Sequence, residues 1–77
     1  MADHRKHFKK MHKAMSKWFD EQTESGWQSE EIRRAAYLVK AGMWMLANNK
    51  EVHPVLIKDF GKDVEALARA KAKAGCE

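Results

Sequence analysis

The chain has a single cysteine, Cys76, a single proline, Pro54, and four glycines in 77 residues. One cysteine cannot form an internal disulfide, so the fold is not a stapled, disulfide-rich scaffold, and the pattern suits a reducing compartment. One proline and few glycines leave little punctuation between long periodic segments. β-branched residues are scarce and no alternating run is present, so strands are not expected. No stretch reaches the roughly 18–20 apolar residues of a membrane span. The opening residues are charged and histidine-rich with no apolar h-region, which argues against a secretory signal. The expected location is the cytoplasm. Catalytic signatures are equally sparse. There is no glycine-rich phosphate loop. Ser16, Ser25 and Ser29 have no credible base and orienting partner, and Cys76 is terminal. The tripeptide Asp59-Phe60-Gly61 matches a kinase motif, but the chain is far too short for that fold. No enzyme activity, cofactor or metal is expected.

What remains is helical. Two polar breaks, TESGWQS at 23–29 and NNKEVHP at 48–54, divide the chain into three segments. The first helix is expected over residues 3–21. Phe8, Met11, Met15, Trp18 and Phe19 recur at spacings of three and four, an arc of about 100° on the helix surface. The second is expected over residues 30–47, with Ser29 as N-cap, Glu30 and Glu31 in the first turn, and Asn48 and Asn49 at the exit. The third is expected over residues 54–74, opening on Pro54 in a favoured first-turn position. Its apolar residues are Leu56, Ile57, Phe60, Val64, Leu67 and Ala68. Gly61 marks a kink, a close contact or a break, and ARAKAKAG near the end has little to bury and is expected to fray. The fold class is all-α: one small domain over residues 1–77, a three-helix bundle with the second helix central, as a monomer or a dimer.

The second helix raises the main question. Eleven of the thirteen residues from Ala35 to Ala47 are apolar, interrupted only by Lys40 and Gly42. One face carries Ile32, Ala35, Ala36, Val39, Met43, Leu46 and Ala47; the other carries Tyr37, Leu38, Ala41, Trp44 and Met45. The other two helices can pack one on each side of it. Alternatively they share one side, and the second face meets another molecule. Met, Trp and Tyr are enriched at interfaces, and five methionines with three tryptophans exceed what a minimal bundle needs. The expectation is a homodimer with a symmetric interface involving this helix. Tyr37, Lys40, Trp44 and Met45 are the candidate partner-binding residues of a regulator or inhibitor that docks a larger macromolecule.

Charge supplies the alternative. The net charge is +4, unevenly spread. Residues 1–17 hold Arg5, Lys6, Lys9, Lys10, Lys13 and Lys17 against Asp3 alone, and residues 18–31 hold five carboxylates and no cation. Lys6, Lys9, Lys10, Lys13 and Lys17 fall in one arc of the first helix, opposite its apolar stripe. Such a stripe is an ordinary solvated face, or a track for phosphates giving salt-sensitive nucleic-acid or nucleotide binding. Arginine, the usual reader of guanine edges, is absent from it. Laying this helix on an anionic membrane would strip the core of a small bundle. His4, His7 and His12 cluster near the start, but tight metal sites want three or four ligands on rigid elements; surface histidines are the simpler reading. His53, just before Pro54, reads as a capping or turn residue. Trp27, just ahead of the N-cap, is expected to fold back as a plug.

Overall fold

The computed structural model describes residues 3–75 as three α-helices: α1 (His4–Ser25), α2 (Glu30–Asn48) and α3 (Pro54–Gly75). Cys76 lies outside the described residues. Among those described there is no strand, and no helix is long and apolar enough to cross a membrane.

Each helix start has a chemical cause. The Asp3 carboxylate accepts from the Arg5 amide and is also held by the Arg5 guanidinium. Those bonds, the side-chain one foremost, hold its pKa at about 2. Ser29 is extended (φ −152°) and its hydroxyl accepts from Glu31 N. His53 caps α3: Nδ1 accepts from Val55 N at 3.1 Å, and the carbonyl accepts from Leu56 N at 2.9 Å. Its role as a capping residue is therefore visible in the backbone contacts.

The ends differ from the sequence expectation. α1 runs one turn past Glu21, and within that turn the hydroxyls of Thr23 and Ser25 donate back to the carbonyls of Phe19 and Glu21. It stops at Gly26, whose φ of 81° a residue with a side chain rarely adopts. α3 stays helical through ARAKAKAG to Gly75, because Ala70 is in the core and Ala74 packs beside it. The segment expected to have little to bury thus places two alanines in or against the core.

The helices run antiparallel in sequence order. His4 Nε2 meets Asn49 O at 2.9 Å, joining the start of α1 to the end of α2. Gln28 Nε2 donates to Ala74 O, joining the approach to α2 to the end of α3. α2 is central and contacts both other helices. Its core face is the expected one: Ile32, Ala35, Ala36, Val39, Met43, Leu46 and Ala47 are all buried. Onto it pack Phe8, Met11, Met15, Trp18 and Phe19 from α1, Trp27 from the first loop, and Phe60, Leu67, Ala70 and Ala74 from α3. The α3 stripe is rotated from the one expected. Ile57, Val64 and Ala68 are exposed, while Ala70 and Ala74 take their place in the contact.

α1 and α3 lie on the same side of α2. No Cα of α1 comes within 8 Å of one in α3 among the described residues. They meet instead through side chains: Phe8 edge-on to Phe60 (5.7 Å between ring centroids) and the Lys71 ammonium 4.3 Å above the Trp18 ring. The particle is accordingly flat, 44 × 23 × 16 Å. Of the two arrangements open to the sequence, the chain adopts the one that leaves the second face of α2 uncovered.

Candidate functional site

That face is the leading candidate. Tyr37, Leu38 and Trp44 are 62%, 52% and 56% exposed. Ala41 is exposed between them, and Met45 is half-buried. At 100° per residue these five span an arc of about 120°, diametrically opposite the buried arc. Three large apolar side chains held on one rigid helix make a contiguous patch, not scattered exposures.

Cations border it. Arg33 and Arg34 share one carboxylate, Glu30. Arg33 pairs with it through its guanidinium, and Arg34 Nε stands 3.5 Å from Oε1. The Arg33 side-chain bond is the main reason the Glu30 carboxyl titrates below its usual range, and it raises Arg33 in turn. Two guanidiniums on one carboxylate leave this end of the patch positive. With Tyr37 and Leu38 they line a shallow concavity of about 430 Å³. On the α1 side, a second hollow of about 230 Å³ is lined by His12, Tyr37, Lys40, Ala41 and Trp44. Lys40 is half-buried and its ammonium lies 4.8 Å above the Phe19 ring. It therefore belongs to the α1–α2 contact as much as to the open face.

The structure brings Tyr37, Lys40 and Trp44 together and places Met45 on the far flank. Arg33 falls with Lys40 at the seam of the two faces by helical spacing, whereas Arg34 and His12 were not singled out as neighbours of the patch. The arginines are recoverable from helical spacing, since Arg34 sits three before Tyr37 and four before Leu38. His12 needs the antiparallel pairing of α1 with α2, which no local pattern encodes.

The second candidate surface is separate. Lys6, Lys9, Lys10, Lys13 and Lys17 are all exposed on the side of α1 away from the core. Among the described residues none of them stands within 4.0 Å of a carboxylate oxygen. The histidines do not converge. His4 bonds to Asn49 O, His7 packs edge-on against Phe8 and His12 lies by Trp44. Among the described residues no group of three or more His, Cys, Asp or Glu is placed to hold a metal ion. A further hollow of about 300 Å³ sits at the end of the bundle between His4, Phe8, Leu46, Lys50, Val52, Ile57 and Phe60. Comparison with protein-family models, characterised proteins and solved structures finds no match to this chain.

Proposed function

We propose that this protein acts by binding and not by catalysis: a regulator or inhibitor that docks a larger macromolecule, with the outer face of α2 as a protein-binding surface. One observation carries the reading. Tyr37, Leu38 and Trp44 stand more than half exposed on one face of the central helix, while the opposite face is closed. Rigid aromatic anchors of this kind dominate protein interfaces. The absence of any disulfide pair fits work in a reducing compartment such as the cytoplasm.

The test is Trp44→Ala. The side chain contributes little to the core, so circular dichroism and the thermal midpoint should stay within a few degrees of wild type. Association should weaken by at least about tenfold, the cost of truncating a central aromatic anchor. It is read by sedimentation and by differential capture of targets with wild-type and variant bait. A variant that unfolds, or one that binds as wild type does, overturns the reading.

The bare lysine stripe of α1 supports a second reading, nucleic-acid or nucleotide binding. Five unneutralised ammoniums along one side of a helix match a phosphate track. Replacing Lys9, Lys13 and Lys17 together with glutamate should abolish binding to a duplex oligonucleotide and flatten its dependence on salt. Titration by fluorescence anisotropy over a salt series reads both, and retention of binding refutes the stripe.

A further inference from the structure

We infer that the outer face of α2 is covered by the same face of a second copy of this chain, packed antiparallel about a two-fold axis through Ala41. The inference rests on that face being a protein-binding surface, and it names the occupant: the second copy takes the face, and a larger target meets what the dimer displays.

Register favours this packing. Around Ala41 the residues of this face, all exposed except the half-buried Met45, are arranged with matching offsets. Leu38 and Tyr37 lie three and four residues before it, and Trp44 and Met45 three and four after; Arg34 and Asn48 lie seven away on either side. A two-fold axis at Ala41 sets Tyr37 against the partner's Met45, Leu38 against the partner's Trp44, and Arg34 against the partner's Asn48. Each pairing is favourable in kind: a ring against a thioether, an aliphatic side chain against an indole, a guanidinium against an amide oxygen. The residue on the axis is an alanine, which lets two helices approach to the roughly 8 Å end of the packing range. A large residue there would hold the aromatic pairs apart.

Charge favours the antiparallel sense. α2 begins with Glu30 and Glu31, which suit its positive end, but has no cation in its last turn. Antiparallel pairing brings the exposed Arg34 of each copy to the negative end of the other's helix, where cations are favoured. It also keeps the two arginine clusters at opposite ends of the seam. Parallel pairing would put like charges together.

The exposed area is large for the mass. The chain exposes 6007 Å², whereas a folded monomer of 8.9 kDa is expected to expose roughly 4,800 Å². The excess is larger than the roughly 800 Å² that one partner loses in an interface of standard size. A nucleic acid is a poor fit, since the centre of the patch is apolar and its cations sit at the edges.

The experiment uses the full chain. Sedimentation equilibrium on wild type should give twice 8.9 kDa, unchanged at high salt because the seam is apolar. Ala41→Glu, at an exposed position, should keep its helicity and weaken association by at least about a hundredfold, since it buries like charges on the axis. Register is read by disulfide trapping in a Cys76→Ser background. Ala41→Cys should cross-link to itself on mild oxidation, because a disulfide needs Cα atoms about 4.4–6.8 Å apart. Tyr37→Cys and Met45→Cys should each stay uncrosslinked alone and cross-link when mixed. A wild-type monomer across the concentration series overturns the inference, and so does a dimer in which Ala41→Cys fails to cross-link. If the chain is monomeric yet Trp44→Ala still loses a captured target, the protein-binding reading survives with another occupant. If the chain is monomeric and Trp44→Ala changes nothing, both fall.

Discussion

Gly42→Ala is expected to lower the thermal midpoint by about 5–15 °C, although alanine is the better helix former. A Cβ built on Gly42 meets Phe60 Cδ1 at 2.5 Å, Cε1 at 3.2 Å and Cγ at 3.5 Å. Glycine to alanine within a helix normally gains roughly 1 kcal/mol. Here the gain is opposed by overpacking, which costs about 1–3 kcal/mol in a well-packed contact. The ring borders the hollow of about 300 Å³ at the end of the bundle, but shifting it disturbs its edge contact with Phe8, the aromatic link between α3 and α1. Displacing it opens the α1–α3 contact as well as the α2–α3 one. Domains of this size have about 4–12 kcal/mol in total, so a net loss of even 1–2 is large. Thermal denaturation read by circular dichroism checks it, and Gly61→Ala is the control. Gly61 is also helical, but a Cβ there meets nothing within 4 Å, so that substitution should stabilise. If both glycines respond alike, helix propensity governs and the packing argument is wrong.

The same pair of glycines shows what the sequence could and could not tell. Both interrupt helical patterns, and local reading singled out Gly61 as the candidate close contact. The close approach is at Gly42, because Phe60 from another helix fills the space its missing side chain leaves. That information is tertiary. What depends on local chemistry was legible: the N-cap at Ser29, the His53 turn, the buried stripe of α2 and the amphipathic stripe of α1 all follow from periodicity and capping. The rotation of α3 was not. Ile57, Val64 and Ala68 are more apolar as a set than Ala70 and Ala74, so hydrophobicity alone found Phe60 and Leu67 but put the rest of the stripe on the wrong side of them. Ala70 and Ala74 join the same core cluster as Ala35 and Ala36, each less than a tenth exposed, and small side chains let packed helices approach closely. The candidate site was legible as a second apolar face of α2. Whether that face was covered depended on where α1 and α3 settle, and both settled on one side.

Trp27→Ala should cost about 2–3 kcal/mol, with a fall in thermal midpoint of about 10 °C or more. The indole stands ahead of the Ser29 cap and folds back onto the core cluster. It meets the Trp18 ring at 5.6 Å and the Phe19 ring at 4.9 Å between centroids, both edge-to-face. Full burial of a tryptophan is worth about 3–5 kcal/mol on truncation, and Trp27 is only half-buried, so the lower part of the scale applies. Its loss also frees the two rings that carry cations, Lys71 over Trp18 and Lys40 over Phe19. The comparison with Trp44 is the informative one, because the same atoms are removed from each site. Trp27→Ala should lower stability and leave the outer face of α2, and the association it supports, intact in the fraction that remains folded. Trp44→Ala should do the reverse. Denaturation and sedimentation of the two variants side by side separate a tryptophan that holds the bundle together from one that the bundle presents outward. If both variants lose stability equally, the outer face is part of the core after all; if both lose association equally, the first loop and α2 form one contact surface.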